Sequence, residues 1–244
     1  MTAAPAPREL TSPNTHAVVA RLLAAESACA RVLDIPCGEG AFLARAQRAG
    51  HVGYGVDIAN RLEGRGVRFA RADMNGGLPF AAGAFDAVVC IDGIEHLERP
   101  FDFVHECRRV LRPGGVLIVS TPNISALRSR WRWLLTGFHN KQKVPLNEAD
   151  PTPWHHVSLL SFPMLRYMLH REGFELRTIA TNRIKAVSWL YLPLWPITAV
   201  VTKAALSRWE DDPGQRERNV EILHQLLLPA IAFGETTIVK AVRR

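Results

Sequence analysis

Acids recur where apolar runs end. Asp34 closes a run at 32–33, Asp57 one at 52–56, and Asp92 one at 85–91, while Asp73 follows a run at 67–70. Asp34 also opens the stretch Asp34-Ile35-Pro36-Cys37-Gly38-Glu39-Gly40. Gly38 and Gly40 place no side chain between the backbone and a ligand. The helix-like residues 41–49 come next, and their first turn offers unpaired N–H groups. A carboxylate beside this turn makes a poor phosphate cradle. It suits a ligand with a cationic amino-acid part. A dinucleotide fingerprint needs a third small residue, and Leu43 stands in its place. No G-K-[ST] follows, so the turn is not a P-loop.

Strands closed by acids line up several carboxylates along one edge of a parallel sheet, where α/β proteins bind ligands. The spacing predicts an α/β fold with a doubly wound, mostly parallel sheet. Its strands are the four runs above, then 116–120, 174–180 and an antiparallel 235–242. Ser12-Pro13 starts a helix that runs to about residue 25 and lies over the ligand edge. Another starts at Pro100, with Phe103, Val104, Cys107, Val110 and Leu111 on one apolar face. The segment after Asp57 is loop-like over 60–66. Ser161-Phe162-Pro163 opens a further helix that ends at Gly173.

The 244 residues suffice for one such domain with insertions, and 48% hydrophobic content argues against disorder. Cys29, Cys37, Cys90 and Cys107 show no C-x-x-C spacing. They imply neither a zinc site nor a disulfide framework, and a cytoplasmic location follows. Residues 1–7 lack a signal-peptide apolar core and read as a frayed tail. The formal charge of +7 is compatible with nucleic acid, an anionic membrane or mere arginine-rich composition.

VLDIPCGEGAFL (32–43), GVDIA (55–59), RADMN (71–75), FDAVVCIDGIEHL (85–97) and LRPGGVLIVSTPN (111–123) resemble five successive motifs of one family. It is the class I S-adenosylmethionine-dependent methyltransferases, in particular the small-molecule type related to quinone-biosynthesis O-methyltransferases. The likeness covers residues 32–123 and weakens beyond. It implies a seven-stranded Rossmann-like sheet with cap insertions and S-adenosyl-L-methionine as cofactor. Asp34, Pro36, Cys37, Gly38 and Gly40 would form the cofactor loop. Pro36 replaces a family glycine and removes one N–H. Asp57 would take both ribose hydroxyls, with Ile58 beside it; otherwise it is a solvated loop acid. Asp73 would receive the adenine amino group with Met74 against the ring, or else cap a helix. Asp92 faces the transferred methyl group or caps the turn at 93–97.

Glu95-His96-Leu97 matches the family's acid–histidine pair. Imidazole, with an ordinary pKa of roughly 6.5, suits deprotonation of a hydroxyl near neutral pH. A structural histidine bonded to backbone is the alternative. His155 and His156 point to opposite sides of an extended segment, and His156 occupies the place of a single histidine in related sequences. His96 and His156 are therefore the candidate catalytic residues. A metal site is not expected, because Glu148 and Asp150 are the only acids near the histidine pair.

The chain thus reads as one domain over 1–244: a cofactor-binding core at 8–123, a cap at 124–157 and an apolar insertion at 181–234. Residues 123–144 carry Arg128, Arg130, Arg132, Lys141 and Lys143 without an acid, and Trp131 and Trp133 among them. A basic-aromatic helix is expected near 124–135, followed by an irregular arm. The stretch 186–206 carries Lys203 as its single charge. Its length approaches a membrane span, but Pro193 and Pro196 argue against an uninterrupted one. Trp189, Tyr191 and Trp195 favour an interfacial or shallow re-entrant hairpin at the inner face of a membrane. An oligomer interface or a packed lid is the alternative. The expected function is O-methylation of an amphiphilic or lipid-linked small molecule at a membrane surface. The rivals are an RNA methyltransferase using 128–143, which lacks an appended RNA-binding module, and a non-catalytic cofactor-binding scaffold.

Overall fold

The computed structural model describes residues 7–24, 26, 30–62, 67–150, 152–208 and 212–244. The expected N-terminal tail, Cys29 and the end of the 60–66 loop fall largely or wholly outside these. One sheet carries seven strands in the order β3-β2-β1-β4-β5-β7-β6. They are β1 (Arg31–Asp34), β2 (Val52–Asp57), β3 (Arg68–Arg71), β4 (Phe85–Ile91), β5 (Leu111–Pro122), β6 (Phe174–Ala180) and β7 (Thr236–Arg243). β1 through β5 pair in parallel, and β7 runs antiparallel between β5 and β6. The chain reverses direction across the sheet between β1 and β4. Asp34 ends the first of these strands and Asp92 follows the second, so both stand at the switch point.

The strands are apolar on both faces because both faces are covered. Val32, Ala87, Val89, Val116 and Ile118 point to one side. There they meet Val18, Val19 and Leu23 of α1 (Thr15–Leu23) and Phe42 and Ala46 of α2 (Ala41–Arg48). Their alternates Leu33, Val88, Cys90, Leu117 and Val119 point to the other side. They pack on Phe103, Val104, Cys107 and Val110 of α3 (Pro100–Val110). Leu165, Met168 and Leu169 of α5 (Phe162–Arg171) complete that layer. The hydroxyl of Ser161 caps α5 by accepting from the Met164 amide at 3.4 Å.

After β5 comes α4 (Leu127–Thr136), starting three residues later than expected, and then an irregular arm to 160. The later insertion differs from the expected hairpin within 186–206. A 3-10 turn at Ala186–Tyr191 leads into α6 (Leu194–Arg208), which pairs with α7 (Pro213–Leu227). Pro193 precedes α6 and Pro196 lies in its first turn, where no intrahelical N–H bond is lost. The prolines therefore stand where the 3-10 turn gives way to α6, and 186–206 is not one uninterrupted helix. Buried Arg166 of α5 ties α7 down through Glu221 (2.9 Å) and Gln225 (3.0 Å). No residue of α6 is buried. Among the described residues, no helix is long and apolar enough to cross a membrane. α8 (Pro229–Ala232) precedes β7.

Candidate active site

Two adjoining pockets run along the carboxyl ends of β1, β2 and β4. Asp34, Pro36, Cys37, Gly38, Asp57 and Asp92 line the first. Pro36 and Asp57 continue into the second, joined by Ile58, Asp73, Met74 and His96. Ten of the twelve residues predicted from sequence, His96 among them, thus line one continuous cleft. Gly40 lines neither pocket; it holds the left-handed turn (φ 81°) that begins α2. His156 lines neither, but its ring meets that of His96 edge to face at 4.8 Å.

The glycine turn works by shape. The Cys37 amide donates to the Val56 carbonyl at 2.9 Å, and the Gly40 amide donates to the Cys37 carbonyl at 2.8 Å. The Gly38 amide donates to Oδ2 of Asp57 at 2.9 Å, while the Ile58 amide donates to its Oδ1 at 2.8 Å. Pro36, Cys37, Gly38 and Gly40 therefore offer no spare N–H to an anion. Gly38 holds φ 50° with open space where a Cβ would stand, so a ligand can approach its backbone. The Cys37 side chain is buried against Leu43 and Leu62, and burial pushes its thiol up, out of the reactive range.

Asp34 is buried, and its Oδ2 has no hydrogen-bond partner among the described residues. Burial, and then the nearby Asp57, push its carboxyl well above the ordinary range. An orphaned acid in a cleft is poised for a cation. Asp73 holds the turn after β3, accepting from the Asn75 amide at 2.8 Å through Oδ1. Asp92 has a left-handed backbone (φ 46°), fixed by two bonds to Ser120. The Asp92 amide donates to Ser120 Oγ (2.9 Å), which donates back to Oδ1 of Asp92 (2.6 Å). Asp92 so held lines the first pocket.

His96 Nδ1 lies 3.0 Å from the His155 carbonyl. Burial lowers the affinity of His96 for a proton. Burial, followed by His96 and Lys141, drives His156 down to about 4. Both rings are thus neutral at pH 7 and can accept a proton. Glu95, which is buried, brings a further atom to the pair. Ligand-type atoms of Glu95, His96 and His156 lie within 4.8 Å of one another. This grouping, not Glu148 and Asp150, is where a cation could sit.

A model of the methyltransferase domain matches residues 8–179. The chain belongs to that family. Its cofactor is S-adenosylmethionine, and the cleft fits it. A cationic amino group would answer the orphaned Asp34, and a diol would answer the oriented Asp57. Ile58, Met74 and Asp73 offer apolar walls and an acceptor for a purine. A probable S-adenosylmethionine-dependent methyltransferase of Mycolicibacterium smegmatis is 38% identical over 143 residues, 56% of this chain and 54% of its own length. A ubiquinone biosynthesis O-methyltransferase of Xanthomonas axonopodis is 34% identical over 112 residues, 40% of this chain and 45% of its own. The chain thus spans about half the length of these curated relatives. A methyltransferase structure from Archaeoglobus fulgidus shares the fold with a TM-score of 0.57 at 21% identity, covering 93% of this chain and 92% of that one.

Sequence reasoning missed several residues that line the cleft, Trp154 and His16 among them. Trp154 of the 137–160 arm stands in both pockets, with the Arg61 guanidinium 5.2 Å from its ring centre. His16 of α1 lines the first pocket, buried edge-on against Phe42. The predicted position of α1 over the ligand edge was the available signal for His16. For Trp154 the signal was its place directly before the candidate pair His155-His156.

Proposed function

We propose that the chain transfers a methyl group from S-adenosylmethionine to a hydroxyl of an amphiphilic, lipid-linked small molecule at a membrane surface. The observation that carries this reading is the cleft itself: an orphaned carboxylate at one end and a neutral imidazole at the other. When bound, the cofactor supplies a methyl group already activated by its sulfonium. Asp34 receives the cationic amino group, Asp57 the ribose diol, and Asp73 the adenine edge over Met74. Trp154 forms part of the wall along both halves of the cleft. His96 Nε2 takes the acceptor's proton, with the His156 ring behind it. Beyond that, the protein positions two reactants, which can lower a barrier by about 7–11 kcal/mol.

The outer surface supports an amphiphilic acceptor. Leu190, Ile197, Val200 and Val201 are 77%, 59%, 70% and 61% exposed. α4, which neighbours the 186–191 turn, exposes Trp131, Trp133, Leu134 and Leu135. Apolar side chains flanked by arginines suit a lipid interface better than a nucleic-acid track. Labelled cofactor, incubated with the protein and a membrane extract, tests the proposal. Label in an alkali-stable product of the organic phase is the expected result. Label confined to RNA, or no transfer by cofactor-loaded protein, would contradict it.

A further inference from the structure

A second cavity, of about 170 Å³, opens between α4, the 137–160 arm and the residues just before β7. Arg128, Lys141, Lys143 and Lys185 line it, and among the described residues Glu235 is the one acid that does. Lys185 Nζ lies 2.7 Å from Glu235 and Lys141 Nζ 3.5 Å. A fifth cation, Arg183, reaches the same carboxylate from outside the lining at 2.5 Å. Burial alone would raise the Glu235 carboxyl, but Arg183, Lys185 and Lys141 outweigh it and hold the pKa at about 2. One fixed carboxylate thus gathers three cations and neutralises one charge. The guanidinium of half-buried Arg128 and the ammonium of Lys143 have no ion pair among the described residues. The cavity keeps a strong positive excess, with Ser129, Asn140 and Ser188 at its walls as neutral hydrogen-bonding groups.

This cavity adjoins the cleft. Lys141 Nζ donates to Ser12 Oγ at 2.8 Å, and neighbouring Thr11 lines the first pocket. The charge of Lys141 is also felt at Glu95 and His156. Ser188, in the 3-10 turn that carries exposed Leu190, joins the cavity to the apolar surface. The geometry points to an oxyanion subsite that takes a phosphate or pyrophosphate group of the methyl acceptor. An acceptor seated this way has its anionic group among the lysines and its apolar part along the 186–201 surface. Its hydroxyl then reaches toward the histidine pair. A cluster of cations around one small cavity favours a compact dianion, since charge-assisted bonds converge on it. The inference rests on the methyltransferase reading and names the acceptor class for it.

Inorganic pyrophosphate is the probe, titrated by calorimetry into the full chain saturated with S-adenosylhomocysteine. Wild type should bind it. The double variant Arg128→Gln, Lys143→Gln should bind it roughly tenfold or more weakly, as expected for lost charge-assisted bonds. Arg48→Gln on α2 should leave it unchanged. Should the double variant not fold, Lys143→Gln alone, at an exposed side chain, should still weaken binding. Absence of pyrophosphate binding by wild type, or equal weakening by Arg48→Gln, overturns the subsite. So does a double variant that loses phosphatidylglycerol vesicles but keeps full pyrophosphate affinity, because the cations would then serve a lipid surface. The first step of each titration separates the two readings. If S-adenosylhomocysteine itself fails to bind, the methyltransferase reading falls; if it binds and pyrophosphate does not, only the subsite does.

Discussion

The ring of His96 is pinned by the His155 carbonyl, 3.0 Å from its Nδ1. A carbonyl oxygen only accepts, so Nδ1 carries the proton and Nε2 keeps its lone pair. The residue between cleft and arm is thus set as an acceptor, in the tautomer that hydroxyl deprotonation requires.

His96→Ala should lower turnover by about 10²–10⁴-fold while cofactor affinity stays nearly intact. His156→Ala should have a smaller effect, since its ring stands behind His96. The acid limb of the rate profile should lie below the ordinary imidazole value of roughly 6.5, because burial lowers both histidines. Steady-state rates across pH on the identified acceptor check this. Full activity in both variants would exclude histidine as the base. Stability has a matching sign. The unfolded chain holds the His156 proton more tightly, so stability is lost as pH falls from roughly 6.5 toward about 4.

Asp34 should release a proton when the cofactor binds. Its carboxyl is raised by burial and by Asp57, whereas an ammonium partner needs it ionised. Affinity should therefore rise with pH until the ligand-free carboxyl is itself ionised. Calorimetry in buffers of different ionisation enthalpy reads the release directly. Asp34→Asn should abolish it and weaken binding by roughly 10–100-fold. An unchanged proton count in that variant would place the titrating group elsewhere.

Much of this cleft was legible in the sequence because acids at strand ends and small residues in a turn are local signals. Asp34, Asp57 and Asp73 needed only the strand boundaries to be placed. Glu95 and His156 meet only because the 137–160 arm folds back, as when the Ser158 amide donates to the Glu95 carbonyl at 2.9 Å. No spacing rule encodes that return. Pro193 and Pro196 argued against an uninterrupted helix over 186–206, and the break falls there; that a new helix starts at the break was not legible, because a linear reading sees only the interruption.

Gly93→Ala should disturb both stability and cofactor binding. A Cβ there would sit 2.3 Å from Cδ of Pro36, which lines both pockets. Overpacking of this kind costs about 1–3 kcal/mol. Thermal denaturation should show a lowered midpoint, and calorimetry a weaker cofactor. A variant with wild-type values in both would mean the Pro36 loop yields freely.

The exposed apolar surface should hold the protein on anionic vesicles. Salt should weaken but not abolish this, because screening at a Debye length of about 10 Å in 0.1 M reaches arginines and not apolar contacts. Replacing Leu190, Ile197, Val200 and Val201 together by serine should release the protein. These four are cleaner targets than Trp189, which stacks on Phe233, or Trp195, whose indole donates to the Leu227 carbonyl. If wild type ignores vesicles and forms a dimer that this variant dissociates, the surface is a subunit interface.

The most direct measurement is a calorimetric titration of S-adenosylmethionine into wild type and Asp57→Ala. Asp57 is held by the Gly38 and Ile58 amides at 2.9 and 2.8 Å and lines both halves of the cleft. Wild type should bind one equivalent. Asp57→Ala should bind about 2–4 kcal/mol more weakly, the loss expected when paired charged hydrogen bonds to a diol disappear. No binding by wild type, or equal affinity in the two proteins, would contradict the assignment of this cleft to the cofactor.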